Sequence, residues 1–168
     1  EADALLAGIT IDTKNFIFKA GVRTFEAAAF LRRNGADSTR VRMLFQDDLV
    51  SYKARAAALK NADLYKDTIA ITAVQENIEN AFVIAAQTAD DLLNIRGIVA
   101  SFVMAEKENT ISISARSHGE VNVQIMMEML GGGGHQTVAG AQIQDSTIEE
   151  VTRLIKHVIN EYSKEGES

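Results

Sequence analysis

Residues 131–140 read Gly-Gly-Gly-Gly-His-Gln-Thr-Val-Ala-Gly and contain five of the eleven glycines of the chain. Packing alone does not require such a run, because glycine in the interior of a helix or strand costs up to about 1 kcal/mol relative to alanine. Successive amide N–H groups of a glycine loop can instead converge on an anion or on the polar edge of a base. A cap of the preceding helix would need only Gly131. The run therefore predicts a binding loop, with His135 as its polar side chain.

The segments next to this run alternate between strand and helix patterns. Residues 98–105 and 110–115 read as two strands joined by a polar turn, and the second strand alternates apolar and polar residues, so one of its faces is polar. Residues 121–130 predict a helix that enters the glycine run, and residues 141–144 predict a short strand that leaves it. The sequence thus predicts a sheet that carries the run at its edge.

A helix is predicted at the C-terminal end of the chain. Ser146 and Glu149 fit the spacing of a capping box. The apolar stripe that this helix would bury consists of Ile148, Val151, Ile155, Val158 and Tyr162.

The first half of the chain reads mainly as helix. A helix at 2–7 is interrupted by Gly8, and Thr24 is a candidate cap for a helix that ends near residue 34. Ser38 begins a short helix, and a longer one runs from 47–48 to about 61.

Strand character appears after this helical half. Residues 67–74 are β-compatible, and 81–86 form a continuous apolar run typical of a strand buried on both faces. Thr88 reads as the start of a helix that ends at Arg96-Gly97. The fold class predicted is α/β, a mixed β-sheet flanked by helices and preceded by a short helical segment, with a boundary between residues 37 and 49.

Composition excludes several classes of function. The 168 residues carry a net charge of −6, so no general polyanion-binding surface is expected. Cysteine is absent, which removes disulfides, thiol catalysis and cysteine zinc sites. No apolar run reaches the length of a membrane span, and no signal peptide is visible. The chain opens at Glu1 inside a helical pattern, so we expect a piece of a longer protein.

A second candidate for chemistry is Arg116, at the end of the predicted strand 110–115 and followed by Ser117. Its planar guanidinium can make two charge-assisted hydrogen bonds to a phosphate, which a lysine cannot. Asn122, at the start of the next helix, has two open interpretations, a helix N-cap or an amide donor to a ligand. His118 and His157 are expected to be exposed or boundary residues.

Asp12 is the one plausible metal ligand, in a loop after an apolar segment. A single carboxylate does not make a metal site, and magnesium or manganese acting on phosphate needs several ligands. The residues leave a turn or capping role for Asp12 equally open.

Several motifs together resemble one known family. Ile113-Ser114-Ala115-Arg116-Ser117, Val121-Asn122-Val123 and Gly132-Gly133-Gly134-His135 with Ala139-Gly140 resemble the DHH-associated domain of DHH-type phosphoesterases. Ala7-Gly8-Ile9 with Asp12-Thr13 and Phe16 is similar to the last motif of the DHH domain that precedes it. Within the family, the pattern points to the membrane-anchored cyclic di-AMP phosphodiesterases of Gram-positive bacteria.

This resemblance implies a division of the chain and a set of site residues. Residues 1–37 would be the end of the DHH domain with a linker helix, and 38–168 the DHH-associated substrate-binding domain. Asp12 would be one ligand of a two-manganese centre whose other ligands precede Glu1, so no catalytic residue is expected in this chain. The residues implied to bind substrate are Arg116, Ser117, Asn122, Gly132, Gly133, Gly134 and His135.

The function implied is nucleotide binding within an enzyme that hydrolyses cyclic di-AMP to pApA, the fragment being inactive alone. The family pattern has two alanines before its final glycine, and Val138 replaces the first, which is expected to tune the pocket. The expected partners are a small nucleotide and the missing DHH domain, but not a long nucleic acid. The pattern leaves a homodimer open and implies a cytoplasmic domain of a membrane-anchored parent.

Three alternatives remain at this stage. The first is a nanoRNA and phosphoadenosine-phosphate phosphatase of the same superfamily, which would share the glycine run. The second is a nucleic-acid-binding module of an exonuclease or alanyl-tRNA synthetase, which the acidic charge balance disfavours. The third, a purely structural interaction domain, leaves the run 131–135 unexplained.

Overall fold

The computed structural model describes residues 1–74 and 78–165. They form two compact units, residues 1–48 and the part from residue 49 onward. The elements in chain order are α1 (Ala2–Asp12), α2 (Val22–Arg33), α3 (Ser38–Met43), α4 (Leu49–Lys60), β1 (Asp63–Tyr65), β2 (Ile69–Ala73), α5 (Ala81–Leu93), β3 (Ala100–Lys107), β4 (Thr110–Ser117), α6 (Val123–Met129), β5 (Gly133–His135), β6 (Val138–Gln144) and α7 (Ile148–Glu165).

The first unit is a small helical cluster. Its buried residues are Leu6, Ala7, Leu31, Ala36 and Val41, contributed by all three helices and the α2–α3 connection. The short helix α3, which begins at Ser38 as predicted, therefore lies with this unit.

Two helix boundaries in this unit differ from those predicted. α1 continues through Gly8 to Asp12, because glycine lowers helix stability without ending a helix whose other residues pack well. α2 begins at Val22 with Gly21 as its N-cap, so Thr24 lies inside the first turn and is not the cap.

An acidic side chain joins α1 to the start of α3. Asp3 Oδ1 accepts a hydrogen bond from the Asp37 backbone N–H at 2.7 Å, and Asp3 Oδ2 accepts one from Arg40 Nε at 2.7 Å. The Arg40 guanidinium, followed by the Asp37 amide, holds the pKa of the Asp3 carboxyl below its usual value. The carboxylate form of Asp3 is thus favoured by folding of this unit.

A mixed sheet organises the second unit. Its six described strands run in the order β1-β2-β3-β4-β6-β5, and β2 and β3 are parallel while the other neighbours are antiparallel. The predicted strands at 98–105, 110–115 and 141–144 are confirmed as β3, β4 and part of β6. This architecture confirms the α/β class with a mixed sheet flanked by helices.

The prediction of a strand at 81–86 is wrong. These residues form the first half of α5, the crossover helix between the parallel strands β2 and β3. Thr88 is not a helix start but lies mid-helix, where its Oγ1 donates to the Ile84 carbonyl at 2.7 Å. Ala81, Ile84 and Ala85 pack against α4 and the sheet, whereas Phe82 and Val83 are apolar but exposed. The run therefore shows no helical period and cannot be told from a buried strand by its pattern.

Helices cover the two faces of the sheet unequally. On one face α6 and α7 enclose a core that includes Phe102, Met127 and Ile155. On the other face α4 and α5 pack over β2 and β3, with Val103 among the buried residues. The same face becomes more exposed from β3 through β4 and β6 to β5, so the outer strands leave part of it open.

The capping box of the last helix lies one residue later in the sequence than predicted. The Thr147 N–H donates to Glu150 Oε2 at 2.9 Å, and the Glu150 N–H donates to Thr147 Oγ1 at 3.2 Å. The capping box is therefore Thr147 with Glu150, not Ser146 with Glu149, whereas the predicted apolar stripe of α7 is confirmed at Val151, among others. In the part of the chain that the structure describes, no helix is both long and apolar enough to cross a membrane.

Candidate functional site

Register between three strands brings the principal predicted side chains together. Arg116 on β4 pairs with Val138 on β6, and Val138 also pairs with His135 on β5. One step further along the strands, Ser114 pairs with Gly140, and Gly140 with Gly133. Directly opposed residues in antiparallel strands share a face. The open face thus carries a row with a cation at one end and an imidazole at the other, beside a row with almost no side chains.

Arg116 is held at the inner end of its row. Its Nη1 donates to the Ala115 carbonyl at 3.0 Å, and its Nε lies 3.5 Å from Asp90 Oδ1 on α5. The side chain is only 13% exposed. His135, at the outer end, is exposed and makes no hydrogen bond through its ring within the described part of the chain. The sequence did not indicate that Asp90 lies beside Arg116, because the packing of α5 against β4 is a tertiary contact.

The glycine run is not the free loop expected from the sequence. Gly131 adopts φ +76°, and the amides of Gly131 and Gly132 donate to the carbonyls of Glu128 at 3.0 Å and Met127 at 2.8 Å. These contacts end α6, so two of the four consecutive glycine amides are already hydrogen-bonded and cannot bind an anion as the predicted loop would. Gly133 and Gly134 then enter β5.

Close packing requires two of the four consecutive glycines, contrary to the expectation that packing does not require the run. A Cβ at Gly132 would lie 2.1 Å from the Gly140 carbonyl oxygen, and one at Gly134 would lie 2.5 Å from Ala139 Cα. These contacts come from residues of β6, and the sequence alone does not show that β6 packs against the glycine run. Gly133 differs, since a Cβ there would meet no described atom within 4 Å and its φ is not in the left-handed region. Packing gives no reason for the glycine at 133.

Ser117 and Asn122 organise the turn from β4 into α6. The Ser117 hydroxyl is buried, donates to the Val121 carbonyl at 2.6 Å and accepts from the Gly119 amide at 3.3 Å. Asn122 is the N-cap of α6, where its Oδ1 accepts from the amides of Gln124 at 3.1 Å and Ile125 at 3.4 Å. The capping interpretation of Asn122 is thereby confirmed, and its side-chain amide nitrogen keeps its donors.

The remaining histidines lie outside this face, and Asp12 belongs to the first unit. His118 and His157 are exposed, as expected, and His118 Nε2 lies 2.9 Å from the Leu93 carbonyl oxygen. Asp12 is the exposed last residue of α1, not a loop residue. Among the described residues no group of three or more His, Cys, Asp or Glu side chains could hold a metal ion. The donors in this part of the chain do not fit a complete metal centre.

A search of protein families identifies the second unit. Residues 66–164 match the family model of the DHHA1 domain. The chain belongs to the DHHA1 domain family. The family resemblance found in the sequence is therefore confirmed. This DHHA1 chain is 48% identical over 169 residues to the cyclic-di-AMP phosphodiesterase GdpP of Bacillus subtilis (strain 168), an alignment that covers 99% of the chain and 26% of GdpP. The chain spans about a quarter of the length of the curated relatives that it matches.

Solved structures show the same fold. An exopolyphosphatase-related protein from Bacteroides fragilis superposes with a TM-score of 0.86 at 20% identity, covering 99% of the DHHA1 chain and 52% of that chain. RecJ from Thermus thermophilus, solved in complex with Mg²⁺, is similar with a TM-score of 0.50 at 14% identity, covering 95% and 24% of the two chains. At these identities the similarity establishes the architecture and not the ligand.

Proposed function

We propose that this chain is the nucleotide-binding part of a longer parent protein. The parent protein is a phosphodiesterase that hydrolyses cyclic di-AMP to pApA. The observation that carries the proposal is the open face on which Arg116 and His135 lie in one cross-strand row, beside the bare backbone at Gly133 and Gly140. The high identity to GdpP across nearly the whole chain supports this choice of ligand.

Arg116 is the phosphate-binding group in this proposal. Its guanidinium has five N–H donors, and the contacts with Ala115 and Asp90 leave donors on both Nη atoms for an anion. The side chain is mostly buried, so the loss of rotamer freedom has already occurred before the ligand arrives. A phosphodiester over this row meets a fixed cation.

The bare row at Gly133 and Gly140 accepts the body of the nucleotide. At Gly133 a Cβ would meet no described atom within 4 Å, so a sugar or base can approach the backbone of β5 closely. At Gly140 a Cβ would lie 2.8 Å from the Ile113 carbonyl oxygen, so that glycine is also required by packing. β5 is the edge strand of the described sheet, so alternate backbone groups on its outer side have no strand partner and can hydrogen-bond to a ligand. This role replaces the expectation from the sequence that the consecutive glycine amides converge on the ligand.

His135 and Asn122 are assigned supporting contacts. His135 projects from the exposed end of the row, where its ring can donate to or accept from a phosphate or a base edge. Asn122 keeps its amide donors while its oxygen caps α6. Ser117, whose hydroxyl is buried in the turn, contributes by positioning Arg116 and Asn122 and not by contact.

The chain alone is proposed to bind nucleotide without hydrolysing it. In the parent enzyme, Asp12 would be one manganese ligand, and the other ligands would come from the DHH domain. The first unit also exposes large apolar side chains, including Ile17, Phe18 and Phe30, which we assign to contact with that domain. The proposed setting is a cytoplasmic region of a membrane-anchored protein.

Calorimetric titration of the chain with cyclic di-AMP and with pApA, without metal, tests this function. Arg116→Ala and His135→Ala should each weaken binding, Arg116→Ala by at least tenfold because a charge-assisted hydrogen bond is lost. Arg153→Ala, an exposed arginine of α7, serves as the matched control. Absence of saturable binding would reject the proposal, and preference for pApA would favour the nanoRNA phosphatase alternative.

A further inference from the structure

Two adjacent acidic residues of α5 lie against two different arginines. Asp90 Oδ1 is 3.5 Å from Arg116 Nε, whereas Asp91 Oδ2 is 3.3 Å from Arg55 Nε on α4. Their exposed fractions are nearly equal, 41% for Asp90 and 42% for Asp91. Arg55 also donates to Gln87 Oε1 at 3.3 Å. One carboxylate therefore contributes to helix packing, and the other lies beside the proposed ligand.

The position of Asp90 is fixed by its neighbours. Ser101 of β3, the register partner of Arg116, donates a buried hydrogen bond to the Ala89 carbonyl at 2.7 Å. Ala89 is fully buried against the sheet. This contact holds the backbone of α5 beside Arg116, so the turn that carries Asp90 cannot move away from the row without breaking a buried hydrogen bond.

A carboxylate next to an anion-binding arginine has two effects on a ligand. It orients the guanidinium, which helps every anion equally. It also repels the anion, and this repulsion scales with the charge on the phosphate. A phosphodiester carries one negative charge, while a terminal phosphate monoester carries about −1.5 to −2 at pH 7. Charge at this position therefore discriminates between the two classes of phosphate.

We propose that Asp90 is a specificity-determining residue that shifts the preference of the Arg116 site away from phosphate monoesters and toward phosphodiesters. The inference rests on the proposed function and adds the class of phosphate that the site selects. Asp90 acts through Arg116 and through its own charge, without contact with the reacting atoms. The arrangement disfavours linear products in which a monoester would have to occupy this position.

The test compares ligands with one phosphate each, so that the same group must occupy the site. Binding of 5′-AMP and of 3′,5′-cyclic AMP is measured by NMR titration at pH 7.5 and low salt, for the intact chain, Asp90→Asn and Asp91→Asn. One unit of ligand charge about 7 Å from a carboxylate in water corresponds to roughly a threefold change in affinity. Asp90→Asn should shift the ratio of the two dissociation constants toward AMP by about threefold, and Asp91→Asn should leave the ratio unchanged.

Comparing two ligands and two variants separates an effect of the Asp90 charge on the ligand from a structural role of Asp90. A merely structural role of Asp90 would weaken both ligands equally and leave their ratio as in the intact chain, which would overturn the inference. An equal shift in Asp91→Asn would also overturn it, because the effect would then belong to the net charge of the helix. Cyclic di-AMP is titrated in parallel. If it binds through Arg116 while the ratio is unmoved, only this inference fails; if no nucleotide binds, the proposed function fails as well.

Discussion

Arg116 and His135 lie in one cross-strand row, because each of them pairs in register with Val138 of β6. Neighbouring strands are about 4.8 Å apart, so the two residues are separated by roughly 10 Å across the sheet. A ligand that contacts both side chains must pass directly over Val138, whose side chain is 42% exposed. The residue between them therefore controls how closely a nucleotide approaches the row.

Substitution at Val138 should change nucleotide affinity in proportion to side-chain size. Val138→Ala removes two methyl groups and should leave the dissociation constant within about threefold, because only uniform contact area changes. Val138→Phe places a ring over the row and should weaken binding by more than tenfold. Calorimetry with cyclic di-AMP measures both. Equal affinity in the intact chain and the phenylalanine variant would contradict the proposed ligand position.

Gly132 and Gly133 are predicted to respond oppositely to alanine. Gly132→Ala forces a Cβ toward the Gly140 carbonyl and should lower the free energy of unfolding by about 1–3 kcal/mol, the usual cost of overpacking. Gly133→Ala meets no described atom and should leave the melting temperature nearly unchanged while nucleotide binding falls. Differential scanning fluorimetry and calorimetry make the comparison. A folded Gly133→Ala chain that binds normally would argue against the bare row as a ligand surface.

The glycine run shows how far the sequence determines this site. Composition predicts that 131–135 is unusual, with the cap at Gly131 as an alternative, and the family resemblance places Arg116 in the same site. They do not show that Gly132 and Gly134 face β6, because that requirement comes from backbone atoms several residues away. The difference between Gly133 and the neighbouring glycines becomes visible only once the packing at each position is known.

The errors in secondary structure have a common physical origin. In residues 81–86, Ala81, Ile84 and Ala85 are buried against α4 and the sheet, but Phe82 and Val83 are apolar although exposed, so the run carries no period that distinguishes helix from strand. The capping frame of α7 is ambiguous because Ser146 and Thr147 both precede a glutamate at the required spacing, and geometry selects Thr147. By contrast, the alternating strand β4 and the amphipathic α7 each present one buried face, and both are predicted correctly.

Asn122 can be tested for a second role beyond capping. Asn122→Ser keeps an oxygen that can accept from the amides of Gln124 and Ile125, but it loses the amide donor. We expect a melting temperature close to that of the intact chain together with weaker nucleotide binding. Asn122→Ala should lose both, with about 1 kcal/mol of stability removed by the missing cap. If Asn122→Ser binds cyclic di-AMP as tightly as the intact chain, Asn122 acts as a cap alone.

Acid should loosen the first unit through Asp3. The folded state lowers the pKa of this carboxyl, so its contribution to stability is fully present above the unfolded value of about 3.9 and is lost as the pH falls through the folded pKa. The protection factors of the α1 and α3 amides, which correct for the pH dependence of intrinsic amide exchange, should therefore fall below about pH 4. Asp3→Asn should show faster exchange already at pH 7 and a smaller change with acid. Asp12→Asn, which alters an exposed carboxylate at the other end of α1, should retain the pH response of the intact chain.

The exposed apolar side chains of the first unit give a last prediction about the isolated chain. Ile17 is 86% exposed and Phe30 is 59% exposed, in a unit of 48 residues that buries only a small core. Exposed apolar patches of this kind mark interaction surfaces and promote association in isolation. Ile17→Ser with Phe30→Ser should reduce dye binding and concentration-dependent association, measured by anilinonaphthalene sulfonate fluorescence and sedimentation velocity, without lowering the melting temperature. In the complete parent protein the same pair should reduce phosphodiesterase activity, because the surface is proposed to contact the preceding domain. Unchanged activity there would assign the surface to a different partner.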